Sequence, residues 1–229
     1  VNGYKTQSSG IILRVLDLFY NWKAVRKMPE NTDMIVSNTL WEPLHLSKRQ
    51  RVKCLIDVQR MPKGQMCFYT KNARLRANSS PVAKAIKDEI NIKYHDKVVM
   101  IPNTLPFKSI VNVDFSEKEK IVLYTGRIHP EKGLDILIKS FASLKNNDWR
   151  LLIVGPYSIE AGGGGDKYLD ELKVMSQKSS VEFLEPIFDI DRLNKLYAKA
   201  SIFVYPSIAE QGETFGVSPL EAMSWGCAT

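Results

Sequence analysis

Short apolar runs alternate with amphipathic segments along the second half of the chain. The apolar runs are rich in β-branched and aromatic residues and end at glycine, proline or a charged residue, as buried parallel strands do. They lie at 97–101, 120–126, 150–155, 180–185 and 201–206. The pattern therefore predicts five strands in this part of the sequence.

Helices are predicted between these strands, at 132–146, 166–178 and 190–199. In the first of them the apolar residues recur at spacings of three and four, which places them on one helical face. They are Leu134, Leu137, Ile138, Phe141 and Leu144. Strands and helices that alternate in this way are typical of βαβ units, so the sequence predicts a doubly wound parallel sheet.

The first hundred residues show the same alternation less regularly. Strands are predicted at 33–38, 52–58 and 73–77, and helices at 8–26 and 80–89. The following stretch, 102–119, holds two prolines and has no hydrophobic period, which is typical of an interdomain hinge. We therefore expect an α/β fold with two Rossmann-like doubly wound domains, at 1–107 and 108–229.

Both predicted domains lack expected elements. The chain opens directly into a helix with no strand before it, and it stops in or just after another helix. A doubly wound domain normally continues into a further strand. We therefore expect both domains to be incomplete and the chain to be part of a larger protein.

Charge divides the chain in the same way. Residues 1–100 carry 18 Lys and Arg against 8 Asp and Glu, a net charge of +10, whereas residues 101–229 carry 14 against 17, a net charge of −3. The basic half favours an anionic partner, such as an anionic acceptor or membrane surface. A solvated basic surface is the alternative. The basic run at 48–53 has no interleaved aromatic residues for base stacking, so nucleic acid is not a predicted partner.

Composition places the protein in an ordinary globular class, with 44% hydrophobic and 25% charged residues. No apolar run approaches the about 20 residues that a membrane-spanning helix needs. The three cysteines have neither metal-binding nor redox spacing. This favours reduced thiols in a cytoplasmic protein, with any membrane contact peripheral and at the inner face.

Two carboxylates, Glu213 and Glu221, lie on either side of the pair Phe215-Gly216. The segment SPLE has the pattern of a helix capping box, with Ser218 as N-cap and Glu221 bonded back to the cap amide. This gives Glu221 a structural role. A glycine just before a helix also exposes amides that attract phosphate, and carboxylates beside such a site suit the hydroxyls of a sugar or ribose.

A second polar segment, TGRIHPEKGLD, follows the predicted strand 120–126. Arg127 and Lys132 would then lie between the carboxyl end of a strand and the start of a helix, where open α/β sheets bind ligands. A planar guanidinium and an ammonium suit a diphosphate, although surface charges in a loop are the alternative. The run AGGGGD at 161–166 lacks the features of a phosphate-binding loop, and we expect a flexible strand-to-helix loop there.

Several of these segments occur in an order that resembles a known family. GRIHPEKGLDILIKSF, LNKLYAKASIFVYPS and EQGETFGVSPLEAMSWG resemble the donor-binding domain of family 4 glycosyltransferases, which have the GT-B fold. The family's Glu-x7-Glu signature corresponds to Glu213 and Glu221. The earlier segments NTDMIVSNTLW and VVMIPNTLP resemble the late part of the family's acceptor domain and its crossing into the second domain.

The resemblance implies a retaining glycosyltransferase that moves a sugar from a nucleotide-diphosphate sugar to a glycan or lipid-linked acceptor, with no metal and no other cofactor. Arg127 and Lys132 would neutralise the departing diphosphate where other glycosyltransferases use a divalent metal. Glu213 and the backbone at 215–217 (Phe215, Gly216 and Val217) would hold the donor sugar and the phosphate nearest to it. Glu221 would accept hydrogen bonds from the ribose hydroxyls.

The remaining implied site residues lie at the edges of this constellation. On the donor side they are Gly126, before the diphosphate loop, and Pro186 and Ile187, against the base, which could be uridine or guanosine. On the acceptor side they are Gln59, Arg60 and Lys63. The family's first glycine-rich loop is absent from this sequence. A non-catalytic module that binds nucleotide sugars is therefore the alternative function.

Overall fold

The chain divides into two compact units, residues 1–103 and 104–229. The structure is a computed structural model that describes residues 10–29, 31–107, 113–144, 148–209 and 214–229. Within the described residues each unit contains a four-stranded sheet in which all strands are parallel. The α/β class and the two parallel sheets predicted from the sequence are confirmed. The domain boundary predicted from the sequence lies after residue 107.

In the first unit the strands follow one another in chain order, β1-β2-β3-β4. The elements are α1 (Gly10–Arg26), β1 (Ile35–Ser37), α2 (Glu42–His45), α3 (Lys48–Arg51), β2 (Cys54–Val58), β3 (Arg74–Ala77), α4 (Ser80–Glu89) and β4 (Val98–Met100). Short 3-10 helices lie at Met66–Tyr69 and Ile92–Lys97. The short helices α2 and α3 were not predicted. The apolar run at 97–101 forms β4, which pairs with β3 and therefore belongs to the first sheet.

In the second unit the strand order is β7-β6-β5-β8. The elements are β5 (Glu119–Thr125), α5 (Leu134–Ser143), β6 (Arg150–Val154), α6 (Gly165–Ser176), β7 (Val181–Leu184), α7 (Ile190–Lys199), β8 (Ala200–Phe203) and α8 (Val217–Ser224). Short 3-10 helices lie at Phe115–Glu117, Pro130–Lys132 and Ile159–Ala161. The direction of strand addition reverses between β5 and β8, which makes this sheet doubly wound.

Strand β5 is apolar from Ile121 to Tyr124 because both of its faces are buried there. Val122 and Tyr124 pack into the cluster that α5 and α6 form on one face of the sheet. Ile121 and Leu123 alternate with them and pack into the cluster on the other face, beneath α7 and α8. Side chains of successive strand residues point to opposite faces, so a central strand covered on both sides reads as one continuous hydrophobic run.

Helix α5 (Leu134–Ser143) is shorter at both ends than the helix predicted at 132–146. A 3-10 turn at Pro130–Lys132 leads into Gly133, whose φ of +63° prevents the helix from beginning before Leu134. Leu144 is the C-terminal cap of α5 and is 69% exposed, although its spacing places it on the apolar face of the predicted helix. The other four apolar residues predicted for this face are buried.

Two isoleucines of α5 provide a direct test of this packing. Ile138 is fully buried, whereas Ile136 is 48% exposed on the same helix. We expect Ile138→Ala to lower the free energy of unfolding of the second unit by about 2–5 kcal/mol, because it removes apolar contacts and leaves a cavity. Ile136→Ala should change it by less than about 1 kcal/mol. Urea titrations monitored by circular dichroism measure both changes, and equal losses would contradict the assignment of faces.

Candidate functional site

Two loops meet at the carboxyl edge of the second sheet, beside the strand reversal. The loop 126–133 follows β5, and the loop 204–209 follows β8. The Val204 amide donates to the Leu123 carbonyl at 2.9 Å, and the Ile208 amide donates to the Glu131 carbonyl at 2.9 Å. Because open α/β sheets bind ligands at such a reversal, this edge is the candidate site.

Two glycines allow the backbone segments at this edge to approach one another. Gly133 has φ +63°, and a Cβ there would lie 2.3 Å from the Pro206 carbonyl oxygen. Gly155, which follows β6, has φ +152°, and a Cβ there would lie 1.8 Å from the carbonyl oxygen of Gly126. A side chain at either position would therefore clash with the neighbouring backbone and force the loops apart. L residues also rarely adopt these φ values.

Arg127 is held on the loop 126–133 by two contacts of its guanidinium. Its Nη2 lies 2.7 Å from Glu131 Oε1, and its Nη1 donates to the Gly162 carbonyl at 2.7 Å. The side chain remains 44% exposed. The Tyr124 hydroxyl donates to the Arg127 carbonyl at 2.8 Å, which fixes the backbone as well. The guanidinium is therefore oriented and still accessible to a ligand.

The run of glycines that contacts Arg127 differs from its sequence prediction. The Gly164 amide donates to the Ile128 carbonyl at 2.8 Å, and the Gly165 amide donates to the Tyr157 carbonyl at 2.7 Å. A Cβ on Gly163 would lie 2.2 Å from the Tyr157 backbone. This segment does connect a strand to a helix, but it is a closely packed turn and not the flexible loop that the sequence suggested.

Lys132 and the start of α8 both lie near one tyrosine. Lys132 is buried, and its ammonium nitrogen lies 5.7 Å from the centroid of the Tyr205 ring, within cation–π range. A Cβ on Gly216 would lie 3.7 Å from the same ring. The structure thus brings the lysine of the loop 126–133 close to the N-terminal end of α8. Phe215 and Val217, also predicted site residues, flank Gly216 at this end.

The capping box predicted for α8 is wrong. The helix begins at Val217 with Gly216 as its N-cap, so Ser218 lies inside the first turn. Pro219 is then the third helical residue, where its missing N–H removes no intrahelical bond. Glu221 lies one turn further on and is bonded to another helix. Glu213, the other predicted carboxylate, lies outside the described residues.

A hydrogen-bonded chain of three side chains ends at the Glu221 carboxylate. The Tyr197 hydroxyl of α7 donates to Glu221 Oε2 at 2.8 Å and lies 2.6 Å from Thr125 Oγ1 at the end of β5. Tyr197 and Thr125 are buried, and Glu221 is half-buried. Burial raises the pKa of Glu221, and the hydrogen bond from Tyr197 opposes that rise. Tyr197 and Thr125 were not predicted, because a buried tyrosine and a strand-end threonine look like core residues in a sequence.

The residues predicted to contact the base follow the outer strand β7. Pro186 and Ile187 are half-buried, and Ile187 packs against the cluster that contains Tyr197 and Phe203. Phe188, the next residue, is 82% exposed. Ile187 therefore shares a hydrophobic cluster with the tyrosine that contacts Glu221.

The predicted acceptor residues lie in the first unit. Gln59 and Arg60 line a cavity of about 530 Å³ at the carboxyl ends of β1 and β2, but Lys63 is not among its lining residues. Both polar atoms of the Gln59 side-chain amide form hydrogen bonds within the first unit. Its Nε2 donates to Asp57 at 2.8 Å, and its Oε1 accepts from Asn103 at 3.2 Å.

No group of three or more His, Cys, Asp or Glu side chains in the described part of the chain is arranged to hold a metal ion. None of the helices described is long and apolar enough to cross a bilayer.

Comparison with known proteins identifies the family. The model of the family described as Glycosyl transferases group 1 matches residues 108–229, more than half of the chain. The chain belongs to this family. The matched segment contains the loops 126–133 and 204–209 and helix α8, which together form the candidate site.

Similar proteins agree with this assignment to the group 1 glycosyltransferases. An uncharacterized glycosyltransferase of Methanocaldococcus jannaschii, MJ1607, is 31% identical over 163 residues, which cover 63% of this chain and 39% of that protein. A glycosyltransferase structure from Rickettsia africae superimposes with a TM-score of 0.68 at 17% identity, covering 98% of this chain and 63% of that one. Anabaena Alr3699/HepE in complex with UDP-glucose gives a TM-score of 0.62 at 19% identity, covering 98% and 65%.

These two solved structures support the GT-B fold. The chain spans 39% of the length of the Methanocaldococcus relative and less than two thirds of each of the two solved structures.

The raised pKa of Glu221 leads to a prediction about stability and pH. An acid whose pKa is higher in the folded state binds its proton more tightly when folded, so ionisation costs stability as pH rises. Glu221→Gln removes this cost and keeps an oxygen that accepts from Tyr197. We expect the free energy of unfolding of the variant, relative to wild type, to increase as pH rises from the ordinary range of a glutamate through the raised pKa, and then to stay constant. Urea titrations at a series of pH values test this, and a difference that shrinks with rising pH would contradict it.

Proposed function

We propose that the protein to which this chain belongs is a retaining glycosyltransferase that uses a nucleotide-diphosphate sugar as donor. The observation that carries the proposal is the placement of Arg127, Lys132 and the N-terminal end of α8 around one edge of the second sheet. Two cations and a helix N-terminus together suit a diphosphate. The UDP-glucose complex of Anabaena HepE, a protein with the same fold, supports this choice of ligand.

The difficult step in such a transfer is the departure of a charged diphosphate from an oxocarbenium-like carbon. Arg127 and Lys132 stabilise the negative charge that develops on the leaving group, and the N-terminal end of α8 adds to this potential. In this proposal these groups take the place of a divalent metal. Retention of configuration rests on the resemblance to family 4 enzymes, in which the acceptor attacks from the face that the leaving group occupies.

Glu221 has a different role in the proposal. A carboxylate repels phosphate but accepts hydrogen bonds from hydroxyl groups, so it binds the ribose of the donor. Glu213 and the backbone at 215–217 hold the donor sugar, and Pro186 and Ile187 contact the base. Gly126 allows the loop to approach the diphosphate.

The acceptor is a glycan or a lipid-linked glycan in this proposal. The cavity in the first unit is lined largely by polar side chains, among them Asn38, Thr39, Gln59 and Arg60, which suit a hydroxyl-rich molecule. The net charge of +10 on residues 1–100 favours an anionic acceptor or contact with an anionic membrane surface at the inner face.

Nucleotide binding is the first expected result. A ligand at 100 times its Kd adds about 2.7 kcal/mol to the free energy of unfolding. We therefore expect a clear rise in Tm with a nucleoside diphosphate, UDP or GDP, and a smaller rise with the matching monophosphate at equal concentration, because the monophosphate lacks a phosphate for Arg127 and Lys132. Thermal-shift measurements make this comparison, and equal rises would contradict the diphosphate site.

Arg127 provides the test of catalysis. In the complete protein we expect Arg127→Ala to lower kcat about 100-fold or more, because it removes charge stabilisation that matters most as the diphosphate departs. Arg150→Ala is the matched control, since Arg150 is also exposed and paired with glutamates but lies at the amino end of β6. Turnover of Arg127→Ala within a few-fold of wild type would contradict the proposed role. Donor binding by the complete protein without any turnover would favour the non-catalytic binding module.

A further inference from the structure

Tyr197 is a buried polar residue that the proposed mechanism does not use. It lies in the last turns of α7, is fully buried, and its ring lies 6.0 Å from that of Phe203. Burial raises the pKa of its hydroxyl far above the usual range of a tyrosine, so the group stays neutral at physiological pH. A neutral phenol can donate one hydrogen bond.

The directions of the hydrogen bonds that join Tyr197 to Glu221 and to Thr125 follow from chemistry. The ionised carboxylate of Glu221 can only accept, so the bond of 2.8 Å is donated by Tyr197. The phenol proton is then used, and Thr125 donates to the phenol oxygen at 2.6 Å. This chain occupies one acceptor position on Glu221 Oε2. Among the described residues, the remaining lone pairs of the carboxylate are available to a ligand.

Helices α7 and α8, which carry Tyr197 and Glu221, are joined by hydrogen bonds near their C-terminal ends. The Lys118 ammonium donates to the carbonyls of Tyr197 at 3.0 Å, Ala200 at 2.7 Å and Trp225 at 2.7 Å, which lie at the C-terminal ends of α7 and α8. A cation stabilises helix C-termini. The Trp225 indole also donates to Asn194 of α7 at 3.0 Å. The backbones that carry Tyr197 and Glu221 are therefore held in a defined relation.

We propose that Tyr197 is a positioning residue for donor binding, which holds the Glu221 carboxylate in the orientation that receives the ribose hydroxyls. The inference rests on the proposed function, because it assumes that Glu221 binds the ribose. Glutamate has several rotatable side-chain bonds, and a ligand that must order it binds more weakly by about two- to tenfold. Tyr197 removes that loss by ordering the side chain before the donor arrives.

The test compares two ligands that differ only in the hydroxyls that Glu221 would contact. The Kd of UDP, or of GDP if it binds more tightly, is measured alongside that of its 2′,3′-dideoxy analogue by isothermal titration. Wild type should prefer the hydroxylated ligand by about tenfold or more, as expected for hydrogen bonds to a charged group. In Tyr197→Phe the Kd of the hydroxylated ligand should rise about two- to tenfold, whereas that of the dideoxy analogue should change by less than about twofold.

Two further variants keep the test independent of a loss of folding. Tyr168→Phe is the matched control, because the Tyr168 hydroxyl has no hydrogen-bond partner within the described part of the chain. It should leave both Kd values unchanged. Thr125→Val removes the donor behind Tyr197 and should reduce the preference in the same direction by a smaller factor, so it replaces Tyr197→Phe if that variant does not fold.

The outcomes separate this inference from the proposed function. A wild-type protein that binds neither nucleotide, or that binds both ligands equally, contradicts the proposed ribose role of Glu221. A wild-type preference that persists unchanged in Tyr197→Phe, or in Thr125→Val if Tyr197→Phe does not fold, overturns the positioning role and leaves the proposed function standing. An equal loss for both ligands also overturns it, because a purely structural role would not depend on the ribose hydroxyls.

Discussion

The candidate site depends on how closely two loops approach one another at the carboxyl edge of the second sheet. Gly133 lies against the Pro206 carbonyl, and Gly155 lies against that of Gly126, at distances that no side chain would allow. This contact determines where the loop 126–133 places its two cations. Tyr205, the neighbour of Pro206 in sequence, lies near both Lys132 and the start of α8. The chemistry proposed for the site follows from this packing.

The two cations of the loop are held in different ways. Lys132 is buried beside the face of Tyr205, where an aromatic ring partly offsets the loss of water around an ammonium group. Arg127 is exposed, and the described contacts to Glu131 and Gly162 use two of its N–H donors. A guanidinium has five such donors. Arg127 can therefore contact a diphosphate while it keeps the contacts that orient it.

The sequence was most informative where many residues share one pattern. Strands β5 to β8 and helices α5 to α7 were predicted because burial on both faces of a parallel sheet requires a long and regular pattern of hydrophobic residues. Arg127, Lys132 and Glu221 were predicted as site residues because charged residues near strand and helix ends differ from that hydrophobic pattern. The distribution of charge also divided the chain into a basic half and a slightly acidic half, which correspond closely to the two units.

Predictions failed where a single contact decided the result. Leu144 fits the periodicity of α5, but the helix ends at Ser143 and leaves it exposed. Ser218 fits a capping box, but the helix begins at Val217. The partner of Glu221 is Tyr197, 24 residues away in sequence, and no local pattern relates the two. Such pairs arise from the tertiary packing of α7 against α8.

The most direct measurement is a crystal structure of the protein with a bound nucleoside diphosphate. We predict that the diphosphate lies between Arg127, Lys132 and the N-terminal end of α8, with the ribose hydroxyls on the Glu221 carboxylate and the Tyr197–Glu221 hydrogen bond intact. A nucleotide bound with its diphosphate away from both cations, or with its ribose turned away from Glu221, would contradict the account.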